Sequence, residues 1–165
     1  MKKRAYKAKT DSGFLDQVSF IVFVVRFNYR VVESKWPQIK KAFYNFDIQK
    51  LAREDPEKLG RFVEAPGMIK NKKKMQAVIL NAKKCADLQK RHGSVLKWIE
   101  HCRKAFEKDP VFNEDLRTHF QEFHGIGPLT SGWLEGIYMS KKPYVEYDMP
   151  DKTIKSKKRL EKRHK

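Results

Sequence analysis

The chain reads as an all-α protein with a compact multi-helix fold, on three observations. Bulky apolar residues recur at intervals of three and four, as they do along one face of a helix. Short polar residues of the kind that cap helices stand immediately before several of these runs. No stretch alternates apolar and polar residues over the length of a strand. At 165 residues the chain has the size of one domain with a substantial core.

Residues 1–13 are basic and polar and end in Asp-Ser-Gly, the composition of a flexible arm ahead of a domain spanning 14–150. Residues 15–26 hold an apolar run bracketed by Asp16 and Arg26. The run is shorter than the ~18 residues of a membrane span and no cleavage site follows it, so it reads as a buried first helix. In residues 27–43 the apolar positions 32, 36, 39 and 43 share one face, and Pro37 either kinks the segment or divides it. Asp47 is placed to cap a short helix through Arg53. Asp55-Pro56-Glu57 is placed to start another, with proline at its first position. After the break at Ala65-Pro66-Gly67, Asn71 caps the longest helix, from Lys72 to about Arg91, striped by Met75, Val78, Ile79, Ala82 and Leu88. Gly93 ends it, Ser94 caps residues 95–106, and Asn113 caps residues 114–123. The total is about eight helices joined by short loops.

The most informative segment follows: His124-Gly125-Ile126-Gly127-Pro128-Leu129-Thr130, between two helical stretches. Two glycines one residue apart, with proline next, make a tight hairpin that exposes backbone amides at the start of a helix. Such amides bind phosphate with no side chain in the way. The same pattern also serves as a plain C-cap and turn. Charge favours phosphate, because 37 Lys and Arg face 20 acids, a formal net charge of +17. An excess of that size implies a polyanionic partner, duplex DNA ahead of a membrane surface. Lys70, Lys72, Lys73 and Lys74 extend the basic surface as candidate phosphate contacts.

Residues 151–165 are dominated by Lys and Arg and read as a disordered basic tail that adds salt-sensitive phosphate attraction. The same residues equally fit a nuclear import signal. Cys85 and Cys102 lack metal-ligand spacing and read as reduced core thiols of an intracellular protein, in the cytoplasm or nucleoid, or in the nucleus of a eukaryote. His101 adjoins Cys102, but neighbours on a helix diverge, so no metal and no cofactor are expected. Nothing in the sequence marks an obligate protein partner, and a monomer is expected.

Three blocks carry a family resemblance: residues 27–32 (Phe-Asn-Tyr-Arg-Val-Val), Ala42-Phe43 with Phe46-Asp47, and Met68-Ile69-Lys70-Asn71-Lys72 with Lys74, Met75, Ala77, Asn81 and Ala82. Together they resemble the DNA-3-methyladenine glycosylase I family, and the segment from Phe123 to Thr130 is similar to the helix-hairpin-helix of the wider DNA glycosylase superfamily. The resemblance implies an enzyme of base excision repair that flips a damaged, alkylated purine from duplex DNA and hydrolyses its N-glycosidic bond. Extrusion costs about a few kcal/mol, less for a damaged base. An aromatic pocket suits a cationic purine by stacking and cation–π attraction.

By the same resemblance Tyr29 is a pocket aromatic, with Phe27 and Trp36 as further candidates, while Trp133 reads as core. Gly125, Ile126, Gly127, Leu129 and Thr130 fall on the DNA-binding hairpin. Family members carry a glutamate, a glutamine and an Ala-Gly step where this chain has Ile21, Val24, Val25 and Arg26. Ile21 accepts no hydrogen bond, Arg26 adds positive charge, and the family's zinc-binding Cys and His residues near the termini are absent. Many superfamily members place a catalytic aspartate about twenty residues after the hairpin glycine, which designates Asp148, with Asp16 and Glu33 as lesser candidates. The position of the nucleophilic lysine of bifunctional members is Leu129, so the expected enzyme is monofunctional. The alternative is a non-catalytic helix-hairpin-helix DNA-binding protein with a degenerate pocket. A basic RNA-binding or membrane-surface protein is a third class, against which the hairpin argues.

Overall fold

Helix starts in this chain are set by short polar side chains. In the computed structural model, which describes residues 2–148, the side chains of Thr10, Asn28, Asp47, Asn71, Ser94 and Asp115 each accept a hydrogen bond from a first-turn amide. They begin α1 (Asp11–Val24), α2 (Tyr29–Ala42), α3 (Ile48–Ala52), α5 (Lys72–His92), α6 (Val95–Lys108) and α7 (Leu116–Phe120). A one-turn α4 (Gly60–Val63) and α8 (Pro128–Met139) complete the set of eight α-helices among the described residues. None of these helices is long and apolar enough to cross a membrane.

α1 is apolar on nearly all sides and is correspondingly central. Phe14, Leu15, Val18, Ile21, Val22, Phe23 and Val24 are all buried against α2, α5 and α6. A 3₁₀ turn (Tyr44–Phe46) follows α2, with Tyr44, Asn45 and Phe46 at φ 55, 53 and 57. Left-handed backbone costs roughly 1–2 kcal/mol per residue. Here the Ser12 hydroxyl is hydrogen bonded to the carbonyls of Asn45 and Phe46, and Phe46 stacks on Trp36 with ring centroids 5.6 Å apart.

Three expectations are corrected and one alternative is decided. Residues 2–6 are no loose arm: β1 (Lys2–Tyr6) pairs antiparallel with β2 (Tyr144–Asp148), from Lys2 opposite Asp148 to Tyr6 opposite Tyr144. Lys3 on an inward position breaks the strand period, and the partner strand lies some 140 positions away in sequence. Proline does not start a helix at Asp55; residues 55–58 form a turn in which Lys58 N–H donates to the Asp55 carbonyl, and α4 begins later. Asp115, not Asn113, caps α7, because Asn113 is drawn into the preceding turn by a bond to the Asp109 carbonyl. Pro37 sits inside one continuous α2 and does not divide it. The tail expected over 151–165 lies outside the described residues.

Candidate active site

Four elements meet around a cavity of ≈ 280 Å³. Asp16, Gln17, Phe20 and Ile21 face it from α1, at spacings that put them on one side of a helix. Tyr29 and Trp36, two turns apart, face it from α2. Trp133 and Ile137, one turn apart, close it from α8, and the β-ribbon roofs it with Ala5, Val145 and Tyr147.

The wall is aromatic and its geometry is edge-on. The Phe20 ring packs edge-to-face on Tyr29 at 5.4 Å and on Trp36 at 5.1 Å, while Trp133 lies 6.2 Å from Tyr147. The Tyr29 and Tyr147 hydroxyls share a hydrogen bond of 2.8 Å. Burial, then that bond, pushes the Tyr29 pKa far above the ordinary tyrosine range, so the Tyr29 hydroxyl serves as a neutral hydrogen-bonding partner. The carboxylate in this wall is Asp16. Its Oδ1 accepts from Trp36 Nε1 at 2.8 Å and its Oδ2 from Lys40 Nζ at 2.8 Å. Two fixed donors orient the carboxylate and leave it lone pairs for a further partner.

Tyr29 and Trp36, named from the sequence, both line this cavity. Phe27 does not: it faces a separate groove, with the Lys74 ammonium 5.5 Å from its ring centre. Asp148 is exposed at the end of β2, opposite Lys2, and is not among the residues lining the cavity. Glu33 is held by Lys3 at 2.6 Å next to Tyr29 and is not among the residues lining the cavity. Asp16, the lesser candidate, is the acid that enters the pocket. Phe20 and Tyr147 were missed, and Trp133, read as core, is a pocket residue exposed at 37%. The signal for Tyr147 was present as the alternation of Val145 and Tyr147 in a short strand.

The second cavity is an open groove of ≈ 710 Å³ on the hairpin side. Residues 124–130 form one wall, and Val25, Arg26, Asn71, Lys73 and Lys74 contribute to the other. Arg26 therefore lines this groove and is not among the residues of the pocket. Asn81, fully buried on α5, clamps the hairpin: its Nδ2 donates to the His124 carbonyl at 3.0 Å and its Oδ1 accepts the His124 amide at 2.7 Å. Gly125 has φ 80, and a Cβ there would come within 3.0 Å of Val22. Gly127 differs. Its φ is −106, and a Cβ there would meet nothing within 4 Å, so the space in front of it is open. Leu129 and Thr130 follow in the first turn of α8, where amides lack intrahelical acceptors and the helix dipole is positive.

The lysine cluster divides. Lys73 lines the groove, whereas Lys70 and Lys72 are exposed outside it. Lys74 lines the groove too, but its ammonium is engaged by the protein. Its ammonium donates to the carbonyls of Phe23 and Val25, both at 2.6 Å, and closes the C-terminal end of α1. Burial, then the charge of Arg26, lowers its pKa from 10.5 to about 8. Between those values the folded chain binds fewer protons than the unfolded chain at this site, so stability rises with pH across that window. Urea unfolding from pH 7.5 to 10 is expected to show this slope, and Lys74→Met is expected to lack that component. Identical slopes in the two proteins would refute the assignment.

Among the described residues, Glu114, His119 and Glu122 bring metal-type ligand atoms within 4.8 Å of one another, but Glu122 already pairs with Lys84 at 2.9 Å. The β1–β2 ladder joins residues 2–6 to residues 144–148. Cys85 and Cys102 are buried free thiols, pushed up by burial to about 12 and about 11.

The model of the methyladenine glycosylase family matches residues 6–123. Among solved structures, the chain is similar to 3-methyladenine DNA glycosylase I from Staphylococcus aureus, described for its recognition of 3-methyladenine. The two are 18% identical, with 88% of this chain and 84% of that chain covered and a TM-score of 0.66. A glutamate-to-glutamine mutant of the same enzyme is 17% identical, covering 87% and 84%, with a TM-score of 0.65. A tyrosine-to-phenylalanine form of 3-methyladenine DNA glycosylase I in complex with 3-methyladenine is 16% identical, covering 89% and 87%, with a TM-score of 0.65. A search of curated protein sequences finds no match.

Proposed function

The chain belongs to the methyladenine glycosylase family, and from that premise we propose that it excises alkylated purines from duplex DNA with Asp16 as the pocket carboxylate. The observation that carries this reading is the placement of Asp16 and Ile21 on one face of α1, both lining an aromatic cavity. Ile21 stands where family members carry a glutamate, and Asp16 brings negative charge into the same cavity from one and a half turns earlier. The alternative of a binding module with a degenerate pocket is not favoured.

A base turned out of the helix enters between Tyr29, Trp36 and Trp133. The electron-rich faces of these rings attract a purine made cationic by alkylation. The N-glycosidic bond then breaks with its electron pair passing to the base nitrogen, which neutralises the base and leaves positive charge on the sugar. The Asp16 carboxylate favours positive charge on either side of that bond. Water adds to the sugar carbon, its proton is lost, and an abasic site remains. Leu129 occupies the position of the lysine that would form a Schiff base, so the strand is left intact.

The hairpin holds the duplex through the open amides at the start of α8. Gly127→Phe is expected to weaken duplex binding by about ten- to a hundredfold, whatever the base content, while leaving thermal stability unchanged. A Cβ at Gly127 has no atom within 4 Å apart from its chain neighbours, so the new side chain begins in open space. Fluorescence anisotropy with undamaged duplex checks this, and unchanged affinity would remove the hairpin from the interface. Chromatography of bases released from methylated duplex DNA tests the activity. Release of methylated adenine without strand cleavage is expected, and no release would overturn the reading.

A further inference from the structure

The aromatic cavity is rich in ring surface and poor in hydrogen-bonding groups that are still unspent. Gln17 is committed at both ends: its Nε2 donates to the Tyr6 carbonyl at 3.1 Å and its Oε1 accepts from the Tyr138 hydroxyl at 2.8 Å. Trp36 Nε1 is committed to Asp16. Asp16 keeps lone pairs, but a carboxylate only accepts. Ile21 offers nothing to a polar edge. A purine entering this space gives up its hydrogen bonds to water, and a polar group left without a partner there is penalised.

The tyrosine pair is the exception. Each hydroxyl carries one proton and can also accept, and either one can be the donor in the 2.8 Å bond between Tyr29 and Tyr147. That bond uses one of the two protons. The other proton and the remaining lone pairs are left, so the pair can answer a donor or an acceptor on a base. The two side chains differ in access. Tyr29 is buried on α2 at 5% exposure, whereas Tyr147 is half-buried on the roof beside Trp133, which is open to solvent. The position of Tyr147 is also fixed. It stands opposite Lys3 in the β-ladder, and Lys3 is anchored to Glu33 of α2 at 2.6 Å. Tyr147 lies outside the residues 6–123 that the family model matches.

We propose that the Tyr147 hydroxyl, steadied by Tyr29, hydrogen-bonds the polar edge of the extruded base and so distinguishes a purine from an apolar ring of the same shape. This assignment rests on the glycosylase reading above. It gives the β-ribbon a part in selecting the substrate, in a pocket where Ile21 makes no such bond.

The test titrates the full-length protein, Tyr147→Phe and Tyr29→Phe by calorimetry with two free ligands. One is 3-methyladenine. The other is 1-methylindole, a two-ring molecule of similar shape with no hydrogen-bonding group at its edge. Tyr147→Phe is expected to bind 3-methyladenine about five- to tenfold more weakly, the effect of one lost hydrogen bond, and 1-methylindole within about twofold of wild type. Tyr29→Phe keeps the Tyr147 hydroxyl and should lose about threefold or less for 3-methyladenine. Both variants lose the bond between the hydroxyls, so any damage to the fold is common to them and cancels in the comparison. Equal losses for the two ligands in Tyr147→Phe, no loss for 3-methyladenine, or a larger loss in Tyr29→Phe than in Tyr147→Phe would each overturn the assignment. Wild-type protein separates the two ideas. If it releases no base from methylated duplex DNA, the glycosylase reading fails. If it is active and Tyr147→Phe matches it in 3-methyladenine affinity, the Tyr147 assignment alone fails.

Discussion

Asp16→Asn is expected to lower base release from alkylated duplex DNA by about 10²–10³-fold while duplex affinity stays near wild type. The change keeps the size of the side chain but removes the charge of the acid that lines the pocket, and it replaces one of two acceptor oxygens by a donor. Trp36 Nε1 and Lys40 Nζ each use one of those oxygens at 2.8 Å, so one of these bonds must be lost as well. Binding should survive, since the hairpin and Lys73 lie in the separate groove. Asp148→Asn is the matched control: that carboxylate is exposed at the end of β2, and its replacement should leave release unchanged. Abolished release in Asp148→Asn, with Asp16→Asn active, would transfer the chemistry to the strand and refute the assignment.

Asn81→Ala is expected to destabilise the fold by about 2–4 kcal/mol and to weaken duplex binding in the same variant. Asn81 is fully buried and makes two bonds to the His124 backbone, joining positions 43 apart in sequence. Removing it leaves an amide and a carbonyl without partners where the chain turns into the hairpin, and each such loss costs about 1–3 kcal/mol. Asn81→Asp should be no more stable than Asn81→Ala at neutral pH, because it still accepts the amide but sets a buried carboxylate oxygen against the His124 carbonyl. Urea unfolding and anisotropy on undamaged duplex read the two effects. A large loss of stability with unaltered binding would show that the hairpin keeps its shape without α5.

The helices and their order were legible because helix signals are local. Asn71 and Ser94 cap the helices they precede in sequence, each with a hydrogen bond to an amide three residues on. The hairpin, Tyr29 and Trp36 were legible for a related reason, since short spacings and residue types carry them. Where the expectations failed, the determinant lay outside the local window. Asn113 was displaced as a cap by a bond to Asp109, and the arm over residues 2–6 became a strand only because Tyr144–Asp148 lies beside it.

What the sequence determined by itself, then, was the helical class, the family resemblance and the basic, phosphate-seeking character of the chain. The first and last follow from periodicity, capping and net charge, and the resemblance rests on short residue motifs similar to those of a known family; none of these needs knowledge of distant contacts. Tertiary structure alone decided that Asp16 and not Asp148 faces the pocket, that Lys74 holds α1 while Arg26 faces the groove, and that Tyr147 meets Tyr29 across 118 positions. The physical reason is that a side chain's chemical role depends on which groups surround it, and packing between elements far apart in sequence places those groups.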